Sequence, residues 1–79
     1  MAGQYSGLYR GIVTNAMDPQ KAGRAQVRLP QFAIGDDLWA ATCTAFGAPP
    51  GSGPRVGDEV WVMFESGDLA RPVVLGKAR

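Results

Sequence analysis

The sequence predicts an all-β domain, built as a small five-stranded barrel. Eleven Gly and six Pro lie mostly between short apolar runs of this 79-residue chain, and both residue types interrupt helices. The runs alternate apolar with polar residues, the period that is typical of strands with one buried face. A chain of this length is expected to form one domain.

The first two predicted strands form a hairpin. They span residues 8–15 and 24–30. Between them, Asp18, Pro19 and Gly23 provide turn chemistry, because Pro fixes φ, Asp accepts backbone hydrogen bonds and Gly tolerates positive φ. The second strand alternates without a break. Its predicted inward residues are Ala25, Val27 and Leu29, and its predicted outward residues are Arg24, Gln26 and Arg28.

A third strand is predicted over residues 39–45. Its bulky Trp39 is taken as the inward anchor, which places Ala41, Cys43 and Ala45 on the same face. Free Cys is among the most buried residue types, so Cys43 is interpreted as a small core residue without a function. The Pro- and Gly-rich residues 46–54 that follow are predicted to form a surface loop.

The C-terminal third predicts a second hairpin. Its strands cover residues 59–65 and 73–75, each preceded by a turn. The residues that identify these turns are Gly57, Asp58, Gly67 and Asp68. In the first of these strands Val60, Val62 and Phe64 are expected to face the core, so Trp61 and Met63 face outward.

Two hairpins joined through a third strand suit a small five-stranded Greek-key barrel of the OB type, and an SH3-like barrel is the structural alternative. Residues 1–7 lack periodicity and are predicted to form a flexible N-terminal arm. The single barrel domain is then expected to span residues 8–79.

Composition argues against several functions. The formal charge is +1, and eight basic residues are dispersed among seven acidic ones, so no basic stripe suggests nucleic-acid binding. With one Cys and no His, neither an internal disulfide, the usual zinc ligand sets nor a Ser-His-Asp triad can form. No apolar run has the length of a membrane helix or export signal. No cofactor, metal, catalytic residue or membrane anchor is therefore expected.

One ordered pattern extends over nearly the whole chain. It consists of Gly11-Ile12-Val13, Asn15, Asp18-Pro19, residues 23–27, Trp39, residues 56–60, Phe64-Glu65, Gly67-Asp68 and residues 71–76. This pattern resembles the OB-fold domain of the central spike in contractile phage tails and related injection machines, including the valine-glycine repeat spike of type VI secretion.

That resemblance implies a non-enzymatic structural component of a tail baseplate, in a virion assembled in the bacterial cytoplasm or in a cellular injection device. It also implies a homotrimer that docks on a tail hub above and joins a spike or needle below. Larger members continue into a β-helical needle, and some carry an inserted lysozyme domain. Because this sequence ends at Arg79, the needle and the enzyme are expected to be separate chains or absent. The protein is then either a piercing tip or a connector, and the expectation is an adaptor that joins the hub to a separate spike or needle.

Four residues are candidates for contact with partners. Trp and Met are enriched where proteins meet, so Trp61 and Met63 are predicted to contact a neighbouring subunit unless a loop or the N-terminal arm covers Trp61. Arg24 and Arg28 could contact an acidic groove or simply be solvated. The alternative function is single-stranded nucleic-acid binding, which OB-folds commonly perform.

Overall fold

Five strands form where the sequence predicts them. The computed structural model describes residues 5–31, 37–49 and 51–78. The strands are β1 Tyr9–Asn15, β2 Ala25–Arg28, β3 Leu38–Thr42, β4 Glu59–Phe64 and β5 Pro72–Lys77, with a short 3-10 helix at Glu65–Gly67. The all-β prediction is confirmed.

The strands close into a barrel in the order β1-β2-β3-β5-β4, and β4 pairs with β1. All pairings are antiparallel except that of β3 with β5. Since β5 crosses over to lie beside β3, the barrel is a five-stranded Greek key of the OB type, not the SH3-like alternative.

The core lies inside this barrel. Its buried residues are Val13, Ala25, Val27, Leu29, Ala40, Val60, Val62, Phe64 and Val74. The inward faces predicted for the second and fourth strands are therefore confirmed. Among the described residues, valine is the largest side chain that is buried completely.

The face predicted for the third strand is wrong. Ala40 is fully buried, whereas Trp39 is only half-buried and Cys43 is exposed. Ala40 pairs directly with Ala25, which is also buried, so two small side chains meet where an indole would not fit. Apolar residues occupy both phases of β3, and side-chain size was therefore a misleading guide to the inward one. The strand also ends at Thr42, before the predicted Ala45.

Gly11 lies at a close approach inside the barrel. A Cβ atom at this position would lie 2.9 Å from Cδ2 of Leu29 and 3.3 Å from the backbone oxygen of Arg28. The backbone oxygen cannot move without shifting β2. Glycine therefore allows β1 to pack closely against the neighbouring strand.

The antiparallel pairings place the connections at two ends of the barrel. One end, here called the loop end, consists of the β1–β2 turn and the β3–β4 loop. The opposite end is closed by aromatic rings, since Tyr9 and Tyr5 lie 5.5 and 5.7 Å from Phe64, centroid to centroid. Tyr5 also donates a backbone hydrogen bond to Gly67. Residues 1–4 of the predicted arm lie outside the described residues.

Replacing Gly11 by Ala is expected to destabilise the barrel by about 1–2 kcal/mol, because overpacking forces the surrounding atoms to shift. Urea unfolding measures this change. The matched control is Gly53→Ala, where an added Cβ meets no atom within 4 Å. Equal stabilities of the two variants would contradict the close approach at Gly11.

The exposure of Cys43 can be tested with a thiol reagent. Because the side chain lies on the surface, the thiol of the native protein is expected to react with 5,5′-dithiobis(2-nitrobenzoate) about as fast as that of the urea-unfolded chain. Reaction at least about a hundred times slower in the native state would instead indicate burial, because reaction would then require opening of the fold.

Candidate protein interface

The outer surface of β1, β4 and β5 carries an apolar face. Successive strand residues point to opposite sides, so the residues between the inward ones point outward. We call this surface the side face; it consists of Leu8, Arg10, Ile12, Trp61, Met63, Val73 and Leu75. Leu8 is 55%, Leu75 41% and Met63 39% exposed. A grouped set of exposed apolar side chains is typical of a protein interaction site.

Strand register brings the predicted interface residues Trp61 and Met63 into this face. Trp61 lies opposite Arg10 of β1, and Met63 lies opposite Val73 of β5. Directly paired residues have Cβ atoms about 4.5–5.5 Å apart. The side face is therefore continuous across three strands.

Trp61 is shielded by a residue of the neighbouring strand. The Arg10 guanidinium lies 4.5 Å from the centroid of the indole and 3.4 Å from the Glu59 carboxylate. Such a cation–π contact contributes about 0.5–1 kcal/mol at an exposed site. Tyr5 of the N-terminal arm packs on Phe64 instead. The open apolar surface of the side face therefore comes mainly from Leu8, Ile12, Met63 and Leu75.

Arg28 borders the side face. It pairs across the strands with Ile12, and its Nε donates to Asp37 over 3.1 Å. Asp37 also accepts a 2.8 Å hydrogen bond from the Thr14 hydroxyl. The Thr14 hydrogen bond and then Arg28 lower the pKa of Asp37, so this carboxylate is charged at neutral pH and neutralises the arginine.

Arg24 lies away from the side face and is bound to the β1–β2 turn. Its Nη2 and Nε donate to the Asp18 carboxylate over 2.8 and 2.9 Å, and its guanidinium lies 5.1 Å from the ring centroid of Trp39. Asp18 also accepts from the backbone amides of Gln20, Ala22 and Arg24. Of the four predicted contact residues, only Trp61 and Met63 share one surface.

Asp18, the Arg24 side chain and the backbone amides of Gln20, Ala22 and Arg24 form what we call the Asp18 cluster, which holds a charged carboxylate inside the turn. Only 3% of the Asp18 side chain is exposed. The Arg24 side chain lowers the pKa of Asp18 far below its ordinary value; burial opposes this change, and the three backbone amides add to it. Pro19 and Gly23 lie in the same turn. The cluster connects both ends of the turn and sets its shape.

The other predicted turn residues flank β4. Gly57 has a φ of 93° in the turn before the strand, a conformation that glycine adopts without strain. Asp58 accepts a 3.0 Å hydrogen bond from the Arg55 amide. After the strand, Gly67 ends the short 3-10 helix and Asp68 follows it. The Asp68 side chain accepts a 2.9 Å hydrogen bond from the Ala70 amide. These side chains serve the backbone of their own turns.

Within residues 5–31, 37–49 and 51–78, no three His, Cys, Asp or Glu side chains lie close enough to hold a metal ion. That same part of the chain contains no helix long and apolar enough to cross a membrane.

Several exposed apolar residues were not predicted from the sequence. Leu8 and Ile12 share the phase of Arg10 along β1, and this period-two spacing was the available signal. Three further exposed apolar residues lie at the loop end: Met17, Phe46 and Val56. Sequence alone could not group them, because they are far apart along the chain and only the fold brings their loops to one end.

Comparison with known families agrees with this geometry. A family model of the type VI secretion system/phage-baseplate injector OB domain matches residues 9–78. The matched range covers all five strands and both groups of exposed apolar residues apart from Leu8. The match confirms the resemblance found in the sequence. No curated protein matches the chain.

Replacing Asp18 by Asn is expected to lower the urea midpoint of unfolding at pH 7. Folding lowers the pKa of Asp18, so its stabilising effect is complete above the pKa of the unfolded chain, about 4, and is lost as the pH falls below that value. The difference between wild type and variant should therefore narrow between about pH 4 and pH 2.

The control for that variant is Asp68→Asn, which removes the charge from a turn carboxylate that accepts one hydrogen bond from the Ala70 amide. A smaller loss of stability is expected for it, since exposed turn contacts are weak. A wild-type-to-Asp18→Asn difference that is the same at pH 7 and about pH 2.5 would contradict the role of the charged carboxylate.

Proposed function

We propose that this chain, which belongs to the type VI secretion system/phage-baseplate injector OB-domain family, is a non-enzymatic, homotrimeric adaptor that joins a tail hub to a spike or needle. The family makes it a structural baseplate domain of a phage tail or of a type VI secretion apparatus. The observation that carries the proposal is that the match extends over the complete barrel. In a phage, the adaptor would lie at the tip of the virion tail.

The carboxylates support a non-enzymatic role. General acid–base chemistry needs a carboxylate that faces a substrate and has a suitable pKa. In the described ranges each carboxylate instead bonds to a basic side chain or a turn amide: Asp18 with Arg24, Asp37 with Arg28, Asp58 with the Arg55 amide, Glu59 with Arg10, Glu65 with Arg71, and Asp68 with the Ala70 amide. These groups support the shape of the domain.

The side face suits contact with copies of this same chain. A domain this small buries only about 60–65% of the surface of its unfolded chain, so burial of further apolar surface between subunits would stabilise it. Arg10 and Glu59 form an ion pair within the face, and the pair has no net charge. In a cyclic trimer each side face would lie against a neighbouring subunit around the threefold axis, and a neutral apolar surface can do so without charge repulsion.

The alternative function, single-stranded nucleic-acid binding, has less support. Arg24 and Arg28 are both neutralised by carboxylates of the chain. Arg24 also lies over Trp39, which removes the indole as an open platform for a base. Such binding depends on free cations along the backbone and on accessible aromatic faces.

The full chain is expected to form a homotrimer that Met63→Ser weakens, because Met63 supplies open apolar surface on the side face. The dissociation constant should rise on the order of tenfold, as for an interface residue of intermediate importance. Sedimentation equilibrium and native mass spectrometry measure the assembly. Trp61→Ser should act in the same direction and should also remove the contact with Arg10.

The matched control is Met17→Ser, which removes the same side chain from an exposed position at the loop end. It should leave the trimer unchanged. A chain that is monomeric at high concentration, or a trimer that both methionine variants weaken equally, would contradict assembly through the side face. Circular dichroism checks that each variant retains its fold.

A further inference from the structure

The loop end carries a second group of exposed apolar side chains. Phe46 is fully exposed, Met17 is 83% exposed and Val56 is 65% exposed. They lie in the β1–β2 turn and the β3–β4 loop, whereas the other large apolar residues that are exposed in the described ranges lie on the side face. Such exposure is costly for a monomer and is typical of an interaction site.

The two connections at this end flank a cleft of about 230 Å³. Ala16 and Gly23 line it on the side of the β1–β2 turn, and Gly53, Pro54 and Arg55 line it on the side of the β3–β4 loop. Beside the cleft, the Gly57 amide connects the end of the β3–β4 loop to β1 by donating to the Val13 oxygen over 2.8 Å. The cleft has room for an apolar side chain of a partner and has Arg55 at its wall.

The charges of the loop end are unbalanced. Among the described residues, Lys21 and Arg55 are the two basic side chains that form no ion pair, and both lie here. The carboxylates at the same end are engaged, since Asp18 is bound to Arg24 and Asp58 lies 3.9 Å from Lys77. The surface therefore presents two uncompensated positive charges.

Hydrogen bonds stiffen both connections. The Asp18 cluster sets the β1–β2 turn, and the Lys21 amide donates to the Asp18 backbone oxygen over 2.9 Å. In the β3–β4 loop, the Ala48 amide donates to Ala45, which closes a turn with Phe46 at its outer side. A preformed surface loses less conformational entropy when it binds.

We propose that the loop end is a docking site for a segment of another protein that combines apolar side chains with Asp or Glu. One apolar side chain enters the cleft and others contact Met17 and Phe46, while the carboxylates lie against Lys21 and Arg55. The inference rests on the proposed adaptor function, since an adaptor must bind a chain other than its own copies.

The charge of the loop end favours an acidic protein segment over a second copy of the chain and over a single-stranded nucleic acid. A second copy of the loop end would bring Lys21 and Arg55 against like charges. Among the described residues of the loop end, a single-stranded nucleic acid would find one aromatic ring, Phe46, and two cations without ion pairs, which allow little base stacking and few phosphate contacts. A protein segment with acidic and apolar side chains is complementary to the positive charge and to the exposed apolar side chains of the loop end.

The test uses the full chain and three synthetic peptides of equal length. They share the same Leu and Phe positions and carry Glu, Gln or Lys at the positions between. Titration followed by amide chemical shifts should show the Glu peptide bound most tightly, with the changes confined to the β1–β2 turn and the β3–β4 loop. The double variant Lys21→Glu/Arg55→Glu should weaken the Glu peptide about tenfold and strengthen the Lys peptide, because two attractions become repulsions.

Phe46→Ser should weaken all three peptides, because its exposed ring contacts the part that they share. Four results would each overturn the proposal. The wild type could bind the three peptides equally or bind none of them. The chemical-shift changes could map to the side face, or oligothymidine could bind more tightly than the peptides at the same loops. Arg71→Glu, a charge reversal at the opposite end of the barrel, is the control and should leave peptide affinity unchanged. Because trimer mass and peptide affinity are separate readouts, failure of the side-face assembly and failure of the loop-end site can be told apart.

Discussion

The narrow interior of the closed barrel is the constraint on which the rest of the structure depends. Among the described residues, its completely buried large side chains are all valines. Ala25 and Ala40 meet across β2 and β3, and Gly11 leaves no room for a Cβ atom. Interiors pack at the density of organic crystals, so a five-stranded barrel admits no indole. Larger side chains must lie at an end or on the outside.

The positions of the aromatic residues follow from the narrow interior of the barrel. Phe64, Tyr9 and Tyr5 close one end, where Tyr9 packs edge to face on Phe64 and Tyr5 packs on it at a tilt. Both tryptophans are outside, and each lies beneath an arginine of a neighbouring strand or turn: Trp61 beneath Arg10 and Trp39 beneath Arg24. Each arginine is held by a carboxylate, Glu59 or Asp18. The outside of the barrel is thus organised by ion pairs and cation–π contacts.

The remaining apolar side chains then form two surfaces of different chemistry. The side face is neutral, since its arginine is paired with Glu59, whereas the loop end has Lys21 and Arg55 without ion-pair partners among the described residues. A surface without net charge does not repel its own copies, and a charged surface favours a partner of opposite charge. The neutral side face therefore suits the proposed contact between copies of the chain, and the charged loop end suits the proposed contact with a different chain.

Sequence by itself determined the approximate positions of the five strands, the turns, and the inward faces of β2 and β4, because in those strands one phase is apolar and the turns contain Asp, Pro and Gly where φ or a hydrogen bond requires them. The order of the strands around the barrel was decided by closure, which places β5 beside β3. Sequence could not decide the inward face of β3, because both phases of this strand are apolar. The closed barrel is too narrow for an indole, so Ala40 is buried and Trp39 lies outside. Nor could the sequence find the partners of Trp61 or the grouping of Met17, Phe46 and Val56. Those depend on the register between β1 and β4 and on barrel closure, which bring together residues that are distant along the chain.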